Sequence, residues 1–409
     1  MSIRSLTGHT LCFLFLTSGS ITGDDWRQFR GNSGTGSDSS PKTLLPNSFT
    51  ETTNLTWKVD LPAKGVSSPI VVKDRVFVTA SSGAIQDRIY VLCFDGPSGK
   101  QLWKREYWAT GRGYCHPTSA NAAPTPASDG EFIYAFYSSN DLVCLDLDGN
   151  LQWFRGLTFD YPKAANDVGM SSSPIVSNGV IICQVENQGD SFVAGIEAAT
   201  GKSLWKVDRT RDSNWASPAV VKADGSRPAT VILTDRASVI GVNILTGEQL
   251  WKFQGRASSV PSTTVFGDIA VVSMDGTTAL RFSADSKVPT QLWSNKSLLS
   301  GNASPVVHNG DLYIMNSSGV VSCNDVQTGA KKWQARTGRA KHWATPVASG
   351  NLMFAFDQGG SARVLNLNDK GKTVHTYQFQ DQSFLGTPAI SNGALYIRSN
   401  SHLFRISQQ

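Results

Sequence analysis

Ala216-Ser217-Pro218-Ala219-Val220-Val221 opens a segment that ends at Leu245-Thr246-Gly247-Glu248-Gln249-Leu250-Trp251, and its reading decides the fold. Between those ends lie two more β-rich runs, Ala229-Thr230-Val231-Ile232-Leu233-Thr234 and Ser238-Val239-Ile240-Gly241-Val242-Asn243. Four short runs separated by tight turns predict an antiparallel meander of four strands. The segment is also one copy of a repeat. Two small residues followed by proline recur at Pro69, Pro124, Pro174, Pro218, Pro261, Pro305, Pro346 and Pro388, with gaps of 55, 50, 44, 43, 44, 41 and 42 residues by subtraction. A period in the forties containing a four-stranded meander is the signature of a propeller blade, so the chain is expected to be all-β, an eight-bladed β-propeller.

The end of each copy carries the second signal, a glycine four residues before a tryptophan. It recurs as Gly99/Trp103, Gly149/Trp153, Gly201/Trp205, Gly247/Trp251 and Gly329/Trp333. Gly371 keeps the turn but is followed by His375, while Trp293 and Trp57 keep the indole with Pro289 and Thr53 at the glycine place. The glycine closes the turn, and the indole is a rigid plate suited to wedging between blades. Trp57, Trp103, Trp153, Trp205, Trp251, Trp293 and Trp333 are therefore read as docking residues and not as a sugar-binding stripe. The segment after Pro388 has material for only three strands. Asn54-Leu55-Thr56-Trp57-Lys58-Val59 supplies the fourth, so an N-terminal strand should complete the last blade and leave no open edge.

Length and composition agree with one closed ring over residues 51–409. The 409 residues carry 37 glycines, 11 tryptophans and only 17% charged residues, with a formal charge of +5. No Lys/Arg run interleaved with aromatics occurs, which argues against nucleic-acid binding. Residues 1–23 read as a signal peptide, with Arg4 ahead of the apolar core Leu11-Cys12-Phe13-Leu14-Phe15-Leu16. That core is too short to span a bilayer, and Leu11 before Cys12 does not fit a lipid-attachment signal. A periplasmic or secreted ring, monomeric and without a transmembrane segment, is expected. Residues 24–50 form an N-terminal extension packing on the ring, with Trp26 and Phe29 docking on its outside or across a face. The remaining cysteines are Cys93, Cys115, Cys144, Cys183 and Cys323. Three of them stand two residues before an aspartate in three different copies, as a small buried packing position would.

The Thr-Gly-x-x-x-Trp turns resemble the tryptophan-docking repeats of the pyrroloquinoline-quinone (PQQ) propeller superfamily. Asp25-Trp26-Arg27-Gln28-Phe29-Arg30-Gly31 looks like the lead segment of its secreted bacterial members. The resemblance covers the chain from about residue 51 onward and implies one of two roles. Some members are dehydrogenases that hold PQQ and calcium on the propeller axis. Others, like the lipoprotein propeller of the outer-membrane β-barrel assembly machinery, are scaffolds without cofactor. Here no Cys-Cys pair and no clustered Glu/Asn/Asp set matches the dehydrogenase pattern, so no cofactor, no metal site and no catalytic residues are expected.

Function should therefore lie in the loops that enter each blade. Trp108 to Asn121 enters the second, with Arg112 and His116; Tyr161 to Ser171 enters the third, with Asp167. The fourth is entered through Arg211, Asp212 and Trp215, and the seventh through Arg339, Lys341, His342 and Trp343. With Arg256 these predict a positive channel mouth carrying stacking surfaces and a titratable nitrogen. The leading expectation is a non-catalytic propeller that binds a protein or envelope partner through this face. PQQ-dependent oxidation and glycan or anion binding are the alternatives.

Overall fold

The computed structural model describes residues 25–38, 44–165 and 168–409; the signal-peptide reading and Asp167 lie outside them. The described residues form eight blades of four antiparallel strands in a ring, a β-propeller, the seventh of which carries one added parallel strand. Almost no helix interrupts them: one four-residue turn at Leu157–Asp160 and one 3-10 turn at Leu367–Asp369. The fourth blade is typical, running Ala219–Val221, Thr230–Thr234, Ser238–Asn243 and Gln249–Gln254 outward from the axis. Its two middle strands are buried almost throughout and read as continuous apolar runs, whereas the outer strand alternates.

Closure follows the sequence pattern. Leu55–Asp60 pairs antiparallel with His402–Ser407, so the chain's two ends share the eighth blade. The repeat needs one correction of register. Each inner strand begins directly after its proline except in two copies: Ala127 follows Pro126, not Pro124, and Thr264 follows Thr263, with Pro261 two residues earlier. At this position the residue lies at the start of a strand, where a missing N–H is tolerated.

The glycine and the tryptophan of each copy serve different seams. Each glycine has φ near +70° to +80° and lies against the indole of the preceding blade; a Cβ on Gly99, Gly149, Gly201, Gly247 or Gly329 would stand 2.7–2.8 Å from that ring. The same indole donates its N–H to the next blade. Trp57, Trp103, Trp153, Trp205 and Trp293 reach the carbonyls of Gly96, Leu147, Ala198, Ile244 and Val326 at 2.9–3.0 Å. Where the fifth blade has Pro289 in place of glycine, the Trp251 N–H is buried without a partner. The residue paired across from each indole is small for the same reason. Cys93, Cys144 and Cys323 face Trp103, Trp153 and Trp333, and Gly195 and Gly241 face Trp205 and Trp251. These three cysteines and their fellows Cys115 and Cys183 are buried free thiols. At the seam between the seventh and eighth blades, His375 accepts the wedge role with fully buried Phe49, their rings 5.1 Å apart.

Candidate functional site

Because every blade is an antiparallel meander, the loops entering the blades and the turns between second and third strands emerge on one face, here the loop face. On the axis below it runs a closed belt. The amides of Ser68, Thr125, Ser173, Ser217, Ser262, Ser304, Thr345 and Thr387 each donate to the hydroxyl of the next in that order, at 2.8–3.1 Å. The last of them returns to Ser68. This is the physical content of the small hydroxyl residue beside the proline of each copy: a side chain short enough to reach its neighbour around a narrow axis, bearing an oxygen that accepts.

The belt lines a cavity of about 530 Å³ that opens to the loop face and has Phe29 among its walls. The N-terminal extension crosses the opposite end. Trp26 makes a two-way backbone bridge with Val71 (2.8 and 2.9 Å) and is buried. Arg30 donates to Thr263 O and Thr264 Oγ1, both at 2.6 Å, directly below Ser262. Ser37–Asp38 then adds a parallel strand to Val347–Ser349 of the seventh blade. The extension thus ties the first, fifth and seventh blades across the axis and turns a channel into a cup. Burial without a carboxylate pulls the Arg30 guanidinium down to about 9.

At the mouth stand His116, Trp215, Lys341 and Trp343. Trp215 is fixed by its indole N–H to Gly169 O at 2.9 Å and by its amide to Ser259 O at 2.8 Å. The Trp343 indole donates to Gln358 Oε1 at 3.2 Å. The His116 Nδ1 accepts from the Thr118 amide at 3.2 Å, which leaves Nε2 to carry the proton of the neutral ring. A buried ion cluster anchors the loop that carries Trp215: Arg209 Nε lies 2.7 Å from Glu186 and its Nη2 3.4 Å from Asp235. Desolvation still raises the Glu186 carboxyl above its ordinary value, the Arg209 charge offsetting only part of it.

The remaining predicted residues are spread more widely. Arg112, Arg211, Arg256 and Arg339 are exposed on the loop face outside the cup. Arg112 lies over the Tyr114 ring at 5.1 Å, and Asp212 pairs with Arg236 at 3.0 Å. Arg256 and Arg236 border a second, shallower cleft with Ser258, Ser259 and Asp275. Two residues are removed from the candidate face. Asn121 is fully buried and spends its side chain on Gln86 O and the Ser139 amide, both at 2.9 Å. His342 is buried between Thr337 Oγ1 (3.1 Å) and Phe356 O (3.2 Å), and desolvation lowers its pKa. Cys115 is a buried thiol raised by desolvation, with Gln86 Nε2 at 3.2 Å, while the imidazole of His116 turns to Thr118.

Sequence reasoning did not single out the apolar part of this face, although Tyr114 lies within the loop from Trp108 to Asn121 that it named. Leu102, Leu204 and Val374 are exposed too, but each stands one residue before a docking position and so belongs to the repeat. Ile85 (67% exposed), Tyr114 (54%), Phe159 (76%) and Val168 (40%) lie outside the repeat positions, as does Leu299 (60%) on the loop entering the sixth blade. The first four sit on consecutive loops of the first three blades, tied together where the His116 amide donates to Val168 O at 2.9 Å. The signal was the unequal length and composition of those loops.

Comparison with known proteins places this geometry. The family model described as outer membrane protein assembly factor BamB matches residues 47–194 and 189–409. An outer membrane protein assembly factor BamB of Burkholderia pseudomallei is 23% identical over 346 residues, 81% of either chain. Among solved structures, BamB from Moraxella catarrhalis superposes with a TM-score of 0.63 at 15% identity, covering 86% of this chain and 97% of that one. A europium-containing methanol dehydrogenase superposes with a TM-score of 0.71 at 11% identity, covering 92% and 89%. At such identities the two superpositions show the fold alone.

Proposed function

The chain belongs to the outer membrane protein assembly factor BamB family, and from that membership we propose that it is a non-catalytic extracytoplasmic scaffold that docks a cell-envelope protein on the loop face of its first three blades. The observation that carries this reading is the set Ile85, Tyr114, Phe159 and Val168, large apolar side chains held in solvent on a face where the repeat does not require them. Arg112 over Tyr114 gives the patch the aromatic and arginine composition common at binding hot spots. An extracytoplasmic location is supported by Arg4 and the apolar stretch Leu11 to Leu16, and no helix of the described residues is long and apolar enough to cross a membrane.

The quinone alternative does not fit the donors present. The cup is walled by hydroxyls, apolar groups and the Asn302 carboxamide, with Lys341 and His116 at its mouth and no carboxylate among its described lining residues. A calcium ion needs six to eight oxygen ligands, carboxylates prominent among them, and the described residues build no such cage. Among the described residues no group of three or more His, Cys, Asp or Glu is disposed to hold a metal.

Photocrosslinking in the envelope of the producing cell tests the proposal. A crosslinking residue at position 159 should trap one envelope protein, and one at position 204 should not. Tyr114→Asp combined with Ile85→Asp should abolish the adduct while leaving the melting temperature unchanged. Equal trapping at both positions, or an adduct indifferent to the substitutions, overturns the reading.

A further inference from the structure

The belt oxygens have a consequence independent of the docking patch. Each of the eight hydroxyls accepts a backbone N–H from the preceding blade, and all eight side chains are more than nine-tenths buried. Among the described residues none of them donates to a protein acceptor. A hydroxyl with one lone pair engaged by an N–H still carries its own proton and is polarised toward giving it. The wall of the cup is therefore a ring of polarised hydroxyls, each with a proton to give and one of its two lone pairs already used. Lys341 and the Nε2–H of His116 add donors at the mouth, and no carboxylate of the described lining residues competes for them. Apart from the Asn302 carboxamide, the lining between the hydroxyls is largely apolar: Val66, Ala123, Val168, Val260, Leu385 and Phe29.

We propose that the axial cup is a receptor for a small organic monoanion, a carboxylate on an apolar or aromatic body, entering from the loop face. Its volume of about 530 Å³ lies within the range of sites for such molecules. The charge of the ligand follows from Lys341 and the Nε2–H of His116, which have no carboxylate beside them among the described lining residues, together with belt protons that an anion can accept. A sugar, polar all round, would press hydroxyls against walls too apolar for a polyol. The apolar body follows from the side chains between the belt positions, and its aromatic width from Trp215 and Trp343, whose rings border the entrance.

Titration calorimetry on the full mature chain tests this with 4-phenylbutyrate, its neutral partner 4-phenylbutan-1-ol, and inorganic phosphate. The carboxylate should bind about tenfold tighter than the alcohol, as a charge-assisted set of hydrogen bonds requires. Phosphate, lacking the apolar body, should bind weakly or not at all. Lys341→Gln should weaken the carboxylate alone, and Phe29→Trp or Val260→Phe, each narrowing the cup, should weaken binding of both organic probes while the melting temperature holds. Binding should also change the fluorescence of Trp215 and Trp343, lost in the Trp215→Phe, Trp343→Phe double variant. Equal affinity for carboxylate and alcohol, no binding of either at millimolar concentration, or affinities unchanged in both narrowed-cup variants overturns the proposal. Loss of the envelope partner in the crosslinking experiment leaves this result untouched, because the two sites are probed by different residues.

Discussion

The amide of Thr387 donates to the hydroxyl of Ser68 at 2.8 Å across 319 residues of chain, and that bond closes the belt. It joins the eighth blade to the first on the axis, while the pairing of Leu55–Asp60 with His402–Ser407 completes the eighth blade with the strand whose chain leads into the first. The ring is thus shut twice, at its inner radius by a side-chain hydroxyl and at its outer radius by a strand. A break in either leaves buried backbone donors that no other group can reach.

Ser68→Ala should therefore cost about 1–3 kcal/mol, the penalty of leaving the buried Thr387 amide unpaired. Ser68→Thr, which restores the oxygen already used at Thr125, Thr345 and Thr387, should recover most of it. Denaturant melts of the two variants decide the point. Equal stability of the alanine variant and the parent would show that the belt contributes nothing.

The wedge makes a sharper comparison. Gly201 and Gly179 share a φ near +72°, but a Cβ on Gly201 would stand 2.8 Å from Trp153 and one on Gly179 meets nothing within 4 Å. Gly179→Ala should cost about 1–2 kcal/mol from backbone strain alone. Gly201→Ala should cost that amount plus the displacement of the indole. Similarly, Trp205→Phe strips a bond from Ile244 O, whereas Trp251→Phe removes an N–H that has no partner. The Trp205 variant should lose about 1 kcal/mol more than the Trp251 variant. Indistinguishable melting curves for the glycine pair, or the reverse order for the tryptophan pair, would refute the inter-blade reading of the motif.

The fold was legible because its determinants repeat. Gly247 and Trp251 each appear in register with copies elsewhere, so a contact made between blades leaves a trace within each blade. The missing trace was informative as well: Pro289 marked the one seam where Trp251 loses its partner. The proline pattern misled at Pro124 and Pro261 because proline was not the functional letter; Thr125 and Ser262, the hydroxyls beside them, hold the register. The site was only half readable. Trp215, Trp343, Lys341 and His116 stand out as departures from the repeat and do meet at the cup. Asn121 and His342 have the same polar character, but a turn amide and a neighbouring carbonyl capture them, and such partners are set by three-dimensional proximity that spacing does not encode. Phe29 was invisible as a cup residue because it reaches the axis through the bridge of Trp26 to Val71 and the bonds of Arg30 to Thr263, contacts outside any period.

His342 gives the last prediction its sign. Burial holds its imidazole below the ordinary value of 6.5, with Asp357 opposing the shift and Arg363 adding to it. The unfolded chain therefore binds the proton more readily than the folded one. Stability is full above pH 6.5 and falls as the pH drops through that value toward the lower folded pKa, after which this residue contributes no further slope. His342→Gln should flatten the stability profile between neutral pH and the mid-acid range relative to the parent, even if it lowers stability at pH 7 by removing the bonds to Thr337 and Phe356. Denaturant melts at a series of pH values measure both slopes. A parent whose stability rises as the pH falls from 7, or a variant with the parent's slope, would mean that some group other than this imidazole sets the acid response of the loop face.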